Sequence, residues 1–183
     1  MPGAKTLFFA SFVSPIGPIT VVESSLGLVA VEFEKLTAER MAERFGEAVR
    51  IERRARLRAS TEIAEYFRKR RRKFGVALDW QLVNGFALQV LERLCSVPFG
   101  ELTTYGELAR ALGKPGASRA IGGVMAKNPI PIVVPCHRVV ASDGSIGGFS
   151  GGLELKRKLQ THEGLTPGGG GWSTRRERAR LAP

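Results

Sequence analysis

Apolar and polar positions alternate in the first third of the chain in the manner of strands. Thr6 to Val13, Ile19 to Glu23 and Leu28 to Phe33 are short apolar runs, the last alternating around Val29, Val31 and Phe33. Ser24-Ser25-Leu26-Gly27 lies between the second and third as a hairpin connection. Thr37 then predicts a helix cap for a segment running to about Phe45. Ser60 or Thr61 predicts another, with Ile63, Ala64 and Phe67 as its apolar stripe. A further strand is expected near Phe74 to Leu78.

From Asn84 the period changes to that of a helix, with Phe86, Val90, Leu91, Leu94 and Cys95 on one face until Pro98-Phe99-Gly100. On that stripe Cys95 reads as a buried core thiol. Thr104 caps a short helix through Leu112, Gly113-Lys114-Pro115-Gly116 makes a turn, and Ala117 to about Lys127 forms a second helix ending before Pro129. This pattern is that of a helix-turn-helix, which packed helical hairpins also produce. Ile130 to Val140 reads as an apolar extended run interrupted by Pro131 and Pro135. A glycine-crowded loop from Gly144 to Gly152 follows, and a last helix from Leu153 to about His162.

The expected fold class is therefore α/β (α+β). Residues 1–80 form a small N-terminal domain of mixed sheet and helix, and residues 81–165 a mostly helical C-terminal domain. Residues 166–183 form a flexible Gly/Arg-rich tail with too little apolar content to pack. The chain has 183 residues, 43% of them hydrophobic, enough for two small cores. No apolar stretch approaches the roughly 20 residues that cross a bilayer. The start Met1-Pro2-Gly3-Ala4-Lys5 lacks a signal peptide's apolar segment. A soluble, cytoplasmic protein is expected, nuclear if the source is eukaryotic, with no membrane partner and no obligate oligomer: a monomer.

Charge narrows the partner. A formal net charge of +11, from 28 Lys and Arg against 17 Asp and Glu, suits a polyanion such as nucleic acid. The densest run, Arg68 to Lys73, reads in the first instance as a solvated helix end and only secondarily as a phosphate contact. Two cysteines and two histidines cannot assemble a zinc-type ligand pattern, so no metal and no cofactor are expected.

The chemistry concentrates at Pro135-Cys136-His137-Arg138-Val139, where a thiol stands beside an imidazole at the end of an apolar strand. A thiolate is the nucleophile, and a neighbouring base promotes its formation. Adjacent side chains on an extended strand point to opposite faces, so His137 is expected to reach the sulfur through a water. A lone Cys-His pair is more often structural; the surrounding text decides otherwise. Asn128-Pro129, Val134 to Val140 and Gly147-Gly148-Phe149-Ser150-Gly151-Gly152-Leu153 together resemble the O6-alkylguanine-DNA alkyltransferases. The resemblance is dense from about Val97 to Gly164. It is looser in the N-terminal half, through Ser14 to Ile19 and Glu65-Tyr66-Phe67, where it implies a ribonuclease H-like domain.

That resemblance implies a suicide methyltransferase that repairs DNA in one irreversible step, acting on double-stranded DNA bound through its minor groove with the O6-alkylguanine flipped out. It implies Cys136 as alkyl acceptor, His137 as base through water, Glu163 as the carboxylate orienting the imidazole, and Asn128 as the hinge tying recognition helix to active-site strand. Tyr105 is implied to crowd the target phosphate and assist the departing guanine. Val139 and Ser150 are implied as backbone contacts to the guanine edge, with Met125, Pro131 and Phe149 as pocket walls and Arg119 filling the vacated stack. Phe149 stands where many relatives carry tyrosine, and Leu91 where tryptophan is frequent. A helix entering a minor groove only about 6 Å wide needs small residues. Ala117, Ala120, Gly122, Gly123 and Ala126 meet that need, with close packing against another backbone as the competing explanation for such glycines. A cysteine hydrolase built on Cys136 and His137, or a non-catalytic helix-turn-helix binder of alkylated bases, are the alternatives.

Overall fold

The computed structural model describes residues 6–46, 49–166 and 172. The chain divides into two compact units, Met1–Leu82 and Val83–Pro183.

In the first unit, β1 (Thr6–Ser14), β2 (Gly17–Glu23) and β3 (Leu28–Glu32) form an antiparallel meander, and β4 (Arg50–Arg53) adds in parallel beside β1. The helices are α1 (Ala38–Phe45), capped by Thr37, and α2 (Arg58–Phe67). Leu7, Phe9, Val22 and Ala30 of the sheet pack with Met41 of α1, while α2 lies on β1 and β2. Because both faces are covered, Leu28, Val29, Ala30 and Val31 are all buried, and the half-exposed alternation expected there does not occur.

Two further expectations in this unit are corrected. No strand forms near Phe74 to Leu78; only a bridge between Leu28 and Leu78 is made. The N–H groups of Gly75 and Val76 donate instead to the Glu62 carboxylate, at 2.7 and 3.1 Å, which removes the donors a ladder needs. The second helix starts before Ser60, at Arg58. Its first turn is capped from outside, the Ala59 N–H donating to Glu23 Oε1 of β2 at 2.6 Å, and Ser60 turns back to accept from the Leu57 N–H at 2.9 Å. Its buried residues are accordingly Ala59, Ser60, Glu62, Ile63 and Tyr66 rather than a stripe of Ile63, Ala64 and Phe67.

The second unit holds α3 (Gly85–Cys95), the short strand β5 (Thr103–Thr104), α4 (Tyr105–Ala111) and α5 (Ser118–Ala126). A single 3-10 turn over Cys136–Arg138, the short strand β6 (Val139–Val140) and α6 (Leu153–His162) follow. Thr104 and Glu107 form a reciprocal capping box at the start of α4. Gly113, at φ 68°, reverses the chain between α4 and α5. Both α4 and α5 pack on α3. The buried face of α3 is Val90, Leu91 and Leu94; Cys95, at its last turn, is exposed and not the core thiol expected.

The extended run expected over Ile130 to Val140 is also absent. The Val134 N–H donates to the Ile130 carbonyl, Cys136 to Val134 and Arg138 to Pro135, so the chain closes successive turns and runs extended only at β6, beside β5. Ile132 adopts φ 74°, a conformation costing on the order of 1 kcal/mol or more for a β-branched side chain and held by complete burial. Most of the tail lies outside the described residues. Trp172 does not, and it is buried with Leu102, Val140 and Leu165, contrary to the expectation that nothing in this stretch packs. Among the described residues no helix is long and apolar enough to cross a membrane.

Candidate active site

The turns that replace the expected strand carry the Cys136 side chain to the base of a cavity of about 290 Å³, lined by Tyr105, Met125, Phe149, Ser150 and the backbone of Gly122 and Gly148. Cys136 is only 3% exposed, so the sulfur is approached through that cavity. Tyr105 is set there by the Thr104 cap at the start of α4, and Met125 by the last turn of α5. Pro131, expected as a pocket wall, and Val139, expected as a backbone contact to the guanine edge, are both buried and are not among the residues lining this cavity. The Val139 carbonyl accepts from Lys156 Nζ at 2.6 Å. Arg119 lies exposed on α5.

Asn128 follows α5 directly and binds both sides of the site. Its Nδ2 donates to the Val134 carbonyl at 2.9 Å and to Cys136 Sγ at 3.1 Å, while its Oδ1 accepts from the Ile130 N–H at 3.0 Å. One amide thus satisfies the backbone of the coiled segment and solvates the sulfur. Burial pushes the Cys136 thiol above its ordinary range. The Asn128 amide, the Lys156 ammonium and the N–H groups of Cys136 and His137 pull the other way without cancelling it. The resting sulfur is therefore a thiol.

Behind it lies a buried charge network. His137 Nε2 stands 2.8 Å from Glu163 Oε1, and Arg138 approaches the same carboxylate with Nε and Nη2, both at 2.8 Å. The Gly100 N–H donates to Glu163 Oε2 at 3.0 Å, and Arg138 Nη1 to the Val97 carbonyl at 2.6 Å. Burial alone would raise the Glu163 carboxyl, but the hydrogen bonds and charges of His137 and Arg138 outweigh it and hold it far below the carboxylate range. Burial likewise dominates at His137 and lowers it despite Glu163, so the imidazole is neutral. A neutral imidazole facing an ionised carboxylate carries its proton on Nε2, which assigns the tautomer. Nδ1, buried and without a protein partner among the described residues, is left with its lone pair. The site therefore holds a thiol, a neutral base with a free acceptor nitrogen, and an orienting carboxylate whose charge is fixed by arginine.

Two members of this arrangement escaped the reading of the sequence. One is Arg138, whose guanidinium neutralises Glu163. The other is Lys156 of α6, whose Nζ donates to the carbonyls of Val139, Ile146 and Gly148 at 2.6, 2.5 and 3.2 Å. It thereby joins the strand after Cys136 to the glycine loop forming the far wall. Burial pushes this ammonium down to about 8. Lys156→Met is expected to lower stability by about 2 kcal/mol or more, since charge-assisted bonds to three carbonyls are lost. It should also slow reactions at Cys136; denaturant unfolding and the rate of Cys136 modification check both.

Residues 85–165 match the family described as 6-O-methylguanine DNA methyltransferase, DNA binding domain, and residues 7–80 its ribonuclease-like domain. A methylated-DNA-protein-cysteine methyltransferase of Methanosarcina acetivorans is 38% identical over 158 residues, 86% of this chain and 99% of the relative. The human protein of the same name is 51% identical over 94 residues, 49% of this chain and 45% of its own. A crystal structure of Mycobacterium tuberculosis OGT in complex with DNA superimposes with a TM-score of 0.72 at 33% identity, covering 85% of this chain and 92% of that one. With both units matched in order and a relative aligned over nearly its full length, the chain belongs to the 6-O-methylguanine DNA methyltransferase family.

Proposed function

We propose that this protein repairs DNA by moving the alkyl group, chiefly methyl, from O6 of a flipped-out guanine onto Cys136. The observation that carries the reading is a thiol lining a cavity of about 290 Å³, with a neutral imidazole of assigned tautomer held by Glu163 next to it in sequence. In the step, the sulfur passes its proton to His137 Nδ1 through a water and attacks the alkyl carbon. The bond from that carbon to O6 breaks, and its electron pair leaves with the guanine. Tyr105 supplies a proton to the leaving base. Burial raises its phenol, so Tyr105 is protonated in the resting site. Ser150 and Phe149 bound the base; Asn128 and Glu163 are positioning residues. The thioether formed has no carbonyl for water to attack, so one chain repairs one lesion.

Recognition of double-stranded DNA through the minor groove is the reading favoured for α5. A β-carbon at Gly123 would meet nothing within 4 Å, and one at Gly122 would meet only Tyr105 Cε1 at 4.0 Å. Tight internal packing therefore does not account for these glycines, and a small-residue face beside exposed Arg119 fits a narrow groove. Arg119→Ala is expected to slow repair of duplex substrate by about ten-fold or more, because it no longer offsets an unstacking cost of a few kcal/mol, and to spare single-stranded substrate. Equal losses on both substrates would remove the wedge role. The whole reading is tested by the course of transfer from duplex DNA bearing O6-methylguanine. A plateau at one methyl per chain supports it, and continued turnover favours a hydrolase.

A further inference from the structure

Trp172 stands in a stretch of glycine and arginine, yet its indole is buried and its backbone N–H donates to the Gly144 carbonyl at 2.8 Å. Its neighbours are Leu102, Val140 and Leu165, with Ile146 packed against the cluster. Three of them lie next in sequence to the cavity. Leu102 comes three residues before Tyr105, Val140 four residues after Cys136, and Ile146 two residues before Gly148.

We infer that Trp172 is a positioning residue for alkyl transfer, latching the 141–148 loop so that Tyr105, Gly148 and Cys136 keep one spacing. The inference rests on the function proposed above. Among the described residues the loop has these other ties: the Ala141 N–H to the Ser145 carbonyl at 3.0 Å, the Gly144 N–H to Ala141 at 3.1 Å, the Ser145 N–H to Asp143 Oδ1 at 2.9 Å, and the Lys156 bonds to Ile146 and Gly148. It also has little slack. A β-carbon at Gly147 would stand 3.2 Å from Tyr105 Cε2 and 3.3 Å from its hydroxyl oxygen, so the loop backbone lies directly on the ring. An outward shift of a few tenths of an ångström would free Tyr105 and widen the entrance. Transfer needs the reacting atoms aligned, and a misplacement of about 1 Å is worth roughly a hundred-fold in rate. A large, rigid aromatic anchor in one cluster with Leu102 and Val140, against which Ile146 packs, holds that alignment from behind. It leaves the α5 surface untouched.

The test uses the full chain with Trp172→Ala and Trp172→Phe, following two reactions at Cys136 by peptide mapping, which separates it from Cys95. Trp172→Ala is expected to slow methyl transfer from duplex DNA about ten-fold while speeding alkylation by iodoacetamide by a similar factor, as misalignment and a loosened entrance require. Duplex affinity should not change, and Trp172→Phe should restore both rates. In a Trp80→Phe background, Trp172 emission should be that of a buried indole. Unchanged rates in Trp172→Ala, an emission maximum typical of water, or a parallel fall of both rates with loss of helical signal would each overturn the latch. The iodoacetamide arm needs no DNA. Absence of methyl transfer by the parent chain would reject the proposed function while the latch still stood or fell on its own reading.

Discussion

Cys136→Ala is expected to bind duplex DNA as the parent chain does and to transfer no alkyl group at all. Among the described residues the sulfur is the one thiol lining the cavity, the Tyr105 and Ser150 hydroxyls beside it are far weaker nucleophiles, and alanine has nothing to attack with. The other cysteine, Cys95, is exposed at the end of α3 and does not line the cavity, so it cannot substitute. The fold should survive. Asn128 loses its bond to Sγ but keeps those to Val134 and Ile130, and one such bond is worth about 1 kcal/mol net. Cys136→Ser should also be inert, because a buried hydroxyl is far harder to ionise than a thiol. Gel-shift affinity alongside methyl transfer over hours checks the pair of outcomes; residual transfer by Cys136→Ala would point to a second nucleophile.

Glu163→Gln carries the second large effect, on stability and chemistry together. The carboxylate holds two nitrogens of Arg138, one of His137 and the Gly100 N–H, and it is inaccessible to solvent. Neutralising it leaves the Arg138 charge buried without its partner, a change on the order of 3–5 kcal/mol. The amide also inverts the hydrogen bond. A Gln NH2 donating to Nε2 moves the imidazole proton to Nδ1, the atom that must accept. Loss of the correct tautomer costs about 10⁴-fold in a well-studied Ser-His-Asp enzyme, and a fall on the order of 10²-fold or more is expected here. The same carboxylate makes parent-chain stability pH-dependent. Its folded value is depressed, so its contribution is complete above its ordinary value of 4.5 and is lost as pH falls below that toward the folded value. Unfolding midpoints at pH 7 and pH 4 should differ more for the parent than for Glu163→Gln.

Much of this arrangement was legible in the chain where local chemistry dictates local structure. Thr37 and Thr104 cap the helices they precede, Gly113 turns where a left-handed residue is required, and Asn84 stands at the start of α3. What escaped was set by distant residues. Glu23 caps α2 from the sheet, so the helix starts before its apparent Ser60 cap. Glu62 takes the donors of Gly75 and Val76, so the apparent strand there does not form. Around Cys136 the apolar run is that of a buried strand, but two prolines and the Asn128 amide favour turns. Lys156, Gln160 and Glu163 share one face of α6 and its C-cap with Leu159, at helical spacing. A polar set of that kind reads as solvated until what it faces is known. Here it binds the carbonyls and the imidazole around Cys136, which is why it is buried.

The most direct measurement is the mass of the tryptic peptide bearing Cys136 after the chain has met duplex DNA containing O6-methylguanine. The account predicts that this peptide gains one CH2, located on the sulfur, for every guanine restored. Restored guanine beside an unaltered Cys136 peptide would contradict it.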